Sequence, residues 1–209
     1  MARPAVGMKY SKVIFVGDSR TVGMYATLNK QIGSSSSSGV SFVASAGQGL
    51  SWFQSEGYAK LLKEVEKAEG SLPVAVVFNL GVNDMANASN YVSYMTNIAS
   101  TLKSKNCKLF YMSVNPLNST MITKAGKGSR TEAQVREFNS KIRSGLSANY
   151  KYIDTYSVLM KTGYGTNASY NGEDSVSDDG LHYTTKTFKR IYYYCVIYLN
   201  TGSIDSFYY

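Results

Sequence analysis

The strongest constraint on the fold is a regular alternation of apolar, strand-like runs with helix-like segments along the chain. The run at residues 73–80 (Pro-Val-Ala-Val-Val-Phe-Asn-Leu) is the most continuously apolar, as expected for a central parallel strand covered on both faces. Further strands are predicted at residues 12–16, 40–44, 107–114 and 150–154. Helices are predicted at residues 19–30, 57–69, 89–104, 131–146 and 184–199. This alternation predicts an α/β fold, a doubly wound parallel sheet with helices on both sides.

The chain has the length and composition of one globular domain. Its 209 residues suit a single core, and 44% hydrophobic against 17% charged residues argues against disorder. We expect the domain at residues 11–202, with an N-terminal extension or vector-derived remnant at 1–10 and a tail at 203–209. The Ser-rich tract at 33–39 is predicted to be a flexible surface loop, and the segment 118–130 an exposed loop.

The charge pattern narrows the choice of partners. The net charge is +8, but the basic residues are scattered and form no stripe with interleaved aromatics, so we expect no nucleic-acid partner. A basic surface attracted to an anionic polymer and a merely solvated one both remain open. No segment reaches the length of a membrane span or a signal peptide. Cys107 and Cys195 lie in apolar runs and are predicted to be buried free thiols.

A Gly-Asp-Ser triplet at residues 17–19 ends the first predicted strand. It places a serine hydroxyl at the carboxyl end of a buried strand, where open α/β sheets have their active sites. Ser19 is therefore a candidate nucleophile. The alternative is that Asp18 or Ser19 only caps the following helix, as Asp and Ser often do.

A serine nucleophile needs a base and a carboxylate that orients it, and the chain offers one imidazole. His182 is the only histidine, and it stands in the sequence Asp179-Gly180-Leu181-His182. A turn at Gly180 would let the Asp179 carboxylate fold back to the ring, and Asp178 is the less favoured partner. The alternative is a surface histidine with no role.

Acyl transfer also needs donors aimed at the oxyanion that forms on the substrate. The candidates are the backbone amides of Ser19 and Gly47 and the side-chain amide of Asn83, each in a turn that follows a predicted strand. Gly47 and Asn83 could instead be ordinary turn residues. The carboxylate of Asp84 is expected to hold its turn through backbone hydrogen bonds.

Taken together, these motifs resemble the conserved blocks of the SGNH hydrolases, also called the GDSL esterase/lipase family. The matching residues are Gly17-Asp18-Ser19, Gly47, Gly81-Val82-Asn83-Asp84 and Asp179-Gly180-Leu181-His182. The resemblance implies a three-layer α/β/α, flavodoxin-like fold with about five parallel strands. It also implies Ser19 as nucleophile, His182 as base, Asp179 as its partner, and Ser19, Gly47 and Asn83 as the oxyanion hole. Neither a metal nor a cofactor is implied.

The sequence departs from the common family pattern at three positions. Arg20 follows the serine where an apolar residue is usual, Ser45 replaces a frequent asparagine, and Tyr183 follows the histidine where proline is common. None of these changes removes a catalytic group, but they leave the acyl-chain preference open. The residues predicted to contact substrate are Arg20, Asn115, Tyr164, Tyr170 and Tyr183.

The predicted activity is hydrolysis of a short-chain ester, with an acetyl group on a carbohydrate or cell-wall glycan favoured. The absence of a long apolar lid segment and the abundance of tyrosines, which can stack on sugar rings, support this choice. The alternatives are a lipase or lysophospholipase acting on longer chains and a non-catalytic carbohydrate-binding module.

Other features of the site and setting are predicted only in outline. A metal site in the acidic loop is not expected, because the spacing of Glu173, Asp174, Asp178 and Asp179 fits no calcium loop. We favour a bacterial-type secreted or cell-surface enzyme whose signal has been removed, with the cytoplasm as the alternative. The oligomeric state is left open.

Overall fold

The computed structural model describes residues 9–32, 39–167 and 171–204. The predictions made for Tyr170, for most of the Ser-rich tract, and for nearly all of the N-terminal extension and the tail lie outside these residues. Within them, no helix is long and apolar enough to cross a membrane.

The described residues form one sheet in which all five strands are parallel, in the order β2-β1-β3-β4-β5. The strands are β1 (Lys12–Gly17), β2 (Val40–Ala44), β3 (Val74–Asn79), β4 (Cys107–Met112) and β5 (Lys151–Ile153). Each strand falls within one residue of its predicted position or inside it. The chain winds outward from β1 in both directions, so the predicted doubly wound α/β fold is confirmed.

Helices cover both faces of the sheet. They are α1 (Ser19–Ile32), α2 (Leu50–Trp52), α3 (Tyr58–Glu66), α4 (Ala88–Ser104), α5 (Ser119–Lys124), α6 (Glu132–Gly145), α7 (Thr155–Thr162) and α8 (Thr185–Thr201). A π-helical turn at Phe53–Gly57 joins α2 to α3, and a 3₁₀ turn at Met85–Asn87 precedes α4. The prediction of an exposed loop at 118–130 is wrong for its first half, where Asn118 caps α5 by accepting a hydrogen bond from the Met121 amide.

Alternate residues of each strand enter two separate apolar layers. Ile14 and Val16 of β1 pack with α3, α4 and α6, whereas Val13 and Phe15 pack with α1, α7 and α8. This alternation is the ordinary consequence of the two-residue period of a strand. Both cysteines are buried free thiols, as predicted, and the Cys195 thiol lies against the sulfur of Met112.

The strand register brings the polar turns of the sequence to one edge of the sheet. Gly17, the last residue of β1, pairs with Ala44 of β2 on one side and Asn79 of β3 on the other. The three strands therefore end at the same level, and the turns that follow them lie next to one another. This edge holds the candidate site.

Candidate active site

A continuous chain of hydrogen bonds links the predicted serine, histidine and aspartate. The Nε2 atom of His182 is 2.8 Å from Ser19 Oγ, and its Nδ1 atom is 2.7 Å from Asp179 Oδ2. All three residues are at least 95% buried. An ionised carboxylate can only accept, so the ring proton lies on Nδ1 and the lone pair of Nε2 faces the serine hydroxyl. The site is thus arranged to take a proton from Ser19.

The serine begins a helix at the end of a central strand. Helix α1 starts at Ser19 immediately after Asp18, whose carboxylate accepts a hydrogen bond of 2.9 Å from the Arg20 amide. Burial raises the pKa of Asp18 to about 6, while the hydrogen bond from Arg20 and its positive charge oppose the rise. The Ser19 amide, at the positive end of the helix, is well placed to face a developing negative charge.

A tight turn brings Asp179 back to His182. One carboxylate oxygen of Asp179 accepts from the backbone amides of Leu181 and His182 at 2.9 and 2.8 Å, which leaves the other oxygen for the ring. Burial alone would raise the pKa of Asp179, but these hydrogen bonds and the one from the His182 ring lower it to about 2. Asp178, the less favoured candidate, accepts from the Gly180 amide instead.

The two remaining oxyanion candidates lie in adjoining turns. Gly47 has a left-handed φ of +72° and is exposed, with open space where a Cβ would stand. The Asn83 amide nitrogen donates to the carbonyl of Gln48 at 2.8 Å, so the turn after β3 is tied directly to the turn after β2. Gly47 and Asn83 line the same depression, and their turns follow β2 and β3 at the edge of the sheet where β1 leads into Ser19.

Asp84 locks this pair of turns together. Its carboxylate accepts hydrogen bonds from the Leu50 amide at 2.9 Å and from the Tyr91 hydroxyl at 2.7 Å. The expectation that this carboxylate holds its own turn is wrong, because it does not cap the 3₁₀ turn that follows it and instead accepts from the first amide of α2. Gly49 passes so close to this carboxylate that a Cβ there would lie 2.4 Å from it.

Three of the side chains predicted to contact substrate are buried in the protein. Arg20 is 3% exposed, and its guanidinium donates to the carbonyl oxygens of Leu181, Asn115 and Pro116 at 2.9, 2.7 and 3.1 Å. It also lies 4.7 Å from the centre of the Tyr183 ring, whose hydroxyl donates to Pro116. Arg20, the Tyr183 ring and the carbonyls of Leu181, Asn115 and Pro116 thus form one bonded cluster, which we call the clamp. These contacts give the buried residues a structural role, and substrate contact by Arg20, Asn115 and Tyr183 stays a prediction.

Tyr164 is half-buried, and its hydroxyl donates to the carbonyl oxygen of Leu117 at 3.1 Å. Its ring meets that of Tyr183 edge to face. The structure therefore joins Tyr164 to the clamp, and Tyr170 lies outside the described residues. Within the described residues, no cluster of three or more histidine, cysteine or acidic residues is arranged to hold a metal ion.

Two features of the site could not be predicted from the sequence. The first is Arg130, whose guanidinium reaches the turn that carries Asn83. The second is an open depression of about 320 Å³ beside Gly47 and Asn83. An arginine that binds backbone carbonyls has no sequence signature, and a depression assembled from a turn and a helix has none either.

The fold and this set of residues define a class, the serine ester hydrolases. The family model for the GDSL-like lipase/acylhydrolase domain matches residues 13–194. The chain therefore belongs to the GDSL-like lipase/acylhydrolase family. A comparison with curated protein sequences found no significant match.

Solved structures of the same fold cover nearly the whole chain. An acetyl xylan esterase, AlAXEase, is 17% identical with a TM-score of 0.60, over 91% of this chain and 99% of that one. A candidate SGNH hydrolase from Slackia heliotrinireducens is 12% identical with a TM-score of 0.62, over 93% and 100%. The psychrotrophic esterase EstA from Pseudoalteromonas sp., in a structure inhibited by monoethylphosphonate, is 14% identical with a TM-score of 0.54, over 91% and 100%. At such identities the likeness shows the shared fold.

Proposed function

We propose that the protein removes a short acyl group, an acetyl ester on a carbohydrate or cell-wall glycan, through an acyl-enzyme on Ser19. The observation that carries this proposal is the hydrogen-bonded series from Ser19 through His182 to Asp179. The ring nitrogen that faces the hydroxyl can act as a base, and the buried carboxylate stabilises the positive ring that forms.

The reaction then runs in two halves. Ser19 Oγ attacks the ester carbonyl as His182 takes its proton, and the same proton passes to the departing sugar hydroxyl. Water next attacks the acyl-enzyme while His182 again accepts a proton, and the protonated ring returns that proton to Ser19 as acetate leaves. In both halves the oxyanion is held by the Ser19 and Gly47 amides and the Asn83 side chain, which would be worth about 10²–10³ in rate for each donor.

The lining of the depression beside Gly47 and Asn83 favours a small, polar substrate. Its exposed side chains are all polar, since its one large apolar member, Trp52, is only 7% exposed. A long acyl chain gains its binding energy from buried apolar area, about 0.8 kcal/mol for each CH₂. A lining of this kind offers little of that area.

A second depression of about 340 Å³ shares Ser51 with the first and continues away from the oxyanion residues. Its lining carries no charged group. The polar and aromatic residues in it are Ser51, Gln54, Asn87, Asn90, Ser93, Tyr94 and Asn97. Amides and hydroxyls of this kind pair with sugar hydroxyls, and a tyrosine ring packs on a sugar face. The fold shared with an acetyl xylan esterase agrees with this interpretation.

Covalent labelling tests the nucleophile. We expect a fluorophosphonate to add one phosphonyl group to the peptide that contains Ser19, as detected by mass spectrometry. The Ser19→Ala variant should take up no label, and Ser89→Ala, which changes an exposed serine on α4, should label like the wild type. Full labelling of Ser19→Ala would remove Ser19 from the proposal.

A chain-length series tests the acyl group. We expect kcat/KM to fall steadily from p-nitrophenyl acetate through the butyrate to the octanoate, and acetate to be released from an acetylated polysaccharide. Much faster turnover of the octanoate would instead indicate a lipase-type enzyme.

A further inference from the structure

We propose that Arg130 is a positioning residue for ester hydrolysis, which fixes and polarises the Asn83 amide that binds the oxyanion. The inference rests on the proposed function, because it gives Arg130 a task only if Asn83 meets a substrate oxygen. Arg130 lies 47 residues from Asn83 in the chain. It ends the segment 118–130, which also carries Lys124 and Lys127 and takes no part in the series from Ser19 to Asp179.

The guanidinium of Arg130 makes three hydrogen bonds around the Asn83 turn. Nε donates to the carbonyl oxygen of Val82 at 2.9 Å, Nη1 to that of Lys127 at 2.6 Å, and Nη2 to the side-chain oxygen of Asn83 at 3.2 Å. Two backbone carbonyls thus hold the planar group in place before it meets the amide. A planar guanidinium held in this way loses less conformational freedom on binding the amide than a flexible lysine ammonium would.

The surroundings of Asn83 specify which way its amide points. A guanidinium has only donors, so the group beside it must be the Asn83 oxygen; the Gln48 carbonyl only accepts, so the group beside that must be the nitrogen. The two contacts agree on one orientation. One N–H of the amide is used by Gln48, and the other remains for the substrate. Without Arg130, only the Gln48 contact would hold that orientation.

The charge of Arg130 adds to this effect. A positive group on the amide oxygen draws electron density from the nitrogen and makes its N–H a stronger donor. The effect grows as negative charge develops on a substrate oxygen that accepts from this N–H, because a charged acceptor gains more from a stronger donor. Arg130 should therefore stabilise the transition state more than the bound ester, and its loss should lower kcat rather than raise KM.

The test compares Arg130→Gln and Arg130→Lys with a matched control, Lys124→Gln, which removes an exposed charge from the same segment. We expect Arg130→Gln to lower kcat on p-nitrophenyl acetate by about 10- to 100-fold, with KM within about twofold, as for a weakened oxyanion donor. Arg130→Lys should recover only part of the lost kcat, since lysine keeps the positive charge but lacks the planar guanidinium. Lys124→Gln should match the wild type.

A double-mutant cycle with Asn83→Ala separates positioning from a general structural role. If Arg130 acts through Asn83, Arg130→Gln should change kcat by less than about twofold in the Asn83→Ala background. An undiminished loss there, or an equal fall in kcat for Lys124→Gln, would overturn the proposal. Unchanged kcat in a folded Arg130→Gln variant would also overturn it.

The rate of fluorophosphonate labelling distinguishes this proposal from the one on which it rests. A wild type that does not label on Ser19 overturns both. A wild type that labels, together with an Arg130→Gln variant that labels equally fast, overturns only the role of Arg130. Circular dichroism and thermal unfolding of each variant confirm that the compared chains are folded.

Discussion

At the scale of single residues, the charged side chain of Arg20, which follows Ser19 directly, bonds to the backbone of two loops. Its guanidinium holds the carbonyl oxygens of Leu181, Asn115 and Pro116, and so ties the histidine loop to the loop after β4. We expect Arg20→Lys to lower the free energy of unfolding by about 2–4 kcal/mol, because one ammonium cannot reach three buried acceptors. Urea unfolding measures this loss.

The matched variant is Tyr183→Phe, which gives up only the hydroxyl that bonds to Pro116. This substitution should lower the free energy of unfolding by about 1–2 kcal/mol. Should Arg20→Lys prove as stable as the wild type yet raise KM for the substrate, Arg20 would be a substrate contact after all.

Asp18 gives a prediction about pH. Burial raises its pKa from the ordinary 3.8 to about 6, so the folded state holds this proton more tightly than the unfolded state. The stability it contributes is present below pH 3.8 and is lost as pH rises through 6. Asp18→Asn keeps an acceptor for the Arg20 amide without the charge. Its free energy of unfolding should therefore exceed that of the wild type by a margin that grows between pH 4 and 7.5, to about 1–3 kcal/mol.

Urea unfolding at several pH values tests this gain, with Glu69→Gln, an exposed acid, as the control. A difference between Asp18→Asn and the wild type that stays constant with pH would contradict it. The contribution of Asp179 to folding stability depends on pH in the opposite direction. Since its pKa is lowered to about 2, its contribution is present above pH 3.8 and is lost as pH falls towards 2.

The candidate chemistry of the site could be predicted from the sequence because its residue types are rare and ordered. One histidine preceded by an aspartate leaves few choices for a base. The partners of Arg20 could not be predicted, since they are backbone carbonyls 161, 95 and 96 residues away in the chain. Every residue carries a backbone carbonyl, whatever its side chain. No sequence pattern therefore marks the carbonyls to which a buried arginine will donate.

At the scale of elements, the loop between Asp178 and α8 depends on one glycine. Gly180 has a φ of +70°, and a Cβ there would lie 2.3 Å from the Asn118 carbonyl oxygen and 2.6 Å from the Ile122 amide at the start of α5. Gly180→Ala should therefore push the loop away from α5, lower kcat at least about 100-fold through a displaced His182, and destabilise the fold.

Gly163 provides the control because it has a similar φ of +82° but open space around it. Because Gly163 combines this φ with a ψ of 159°, which side chains rarely adopt, Gly163→Ala should cost about 1–3 kcal/mol of backbone strain yet leave kcat nearly unchanged. Measuring kcat and the melting temperature for both variants separates strain from collision. Equal effects of the two substitutions would show that the contact with α5 is unimportant.

Short helices were the elements that the sequence did not reveal. Helix α7 has an aspartate cap, Asp154, and ends at Gly163, but it is only eight residues long. Helix α5 has six residues, and the glycines at 126 and 128 that follow it are typical of a loop. Elements this short gain their stability from tertiary packing, such as that of the buried Ile122, rather than from local periodicity.

At the scale of the whole molecule, the order of the strands could be inferred only as a class. Continuous apolar runs alternating with helices predicted a parallel, doubly wound sheet, since crossovers between parallel strands need helices. The register that sets Gly17 level with Ala44 and Asn79 depends on side-chain packing across the sheet. That register decides which turns meet, and hence which polar surface continues from the site.

The polar surface that leads away from Gly47 and Asn83 along α4 yields a prediction about the substrate. Asn90 and Asn97 line its far part, and each would donate or accept for a sugar hydroxyl. Replacing both by alanine should lower kcat/KM for an acetylated polysaccharide by about 10-fold or more, at 0.5–1.5 kcal/mol for each lost hydrogen bond. Activity on p-nitrophenyl acetate, which is too small to reach them, should not change.

Thr96→Ala, on the same helix but outside this lining, is the control and should leave both activities intact. Equal losses on the two substrates would show that the double variant disturbs the catalytic groups themselves. No loss on the polysaccharide would show that the glycan leaves the site by another route. A loss confined to the polymer assigns the amide-lined surface to sugar binding, because only a substrate that extends beyond the ester can detect it.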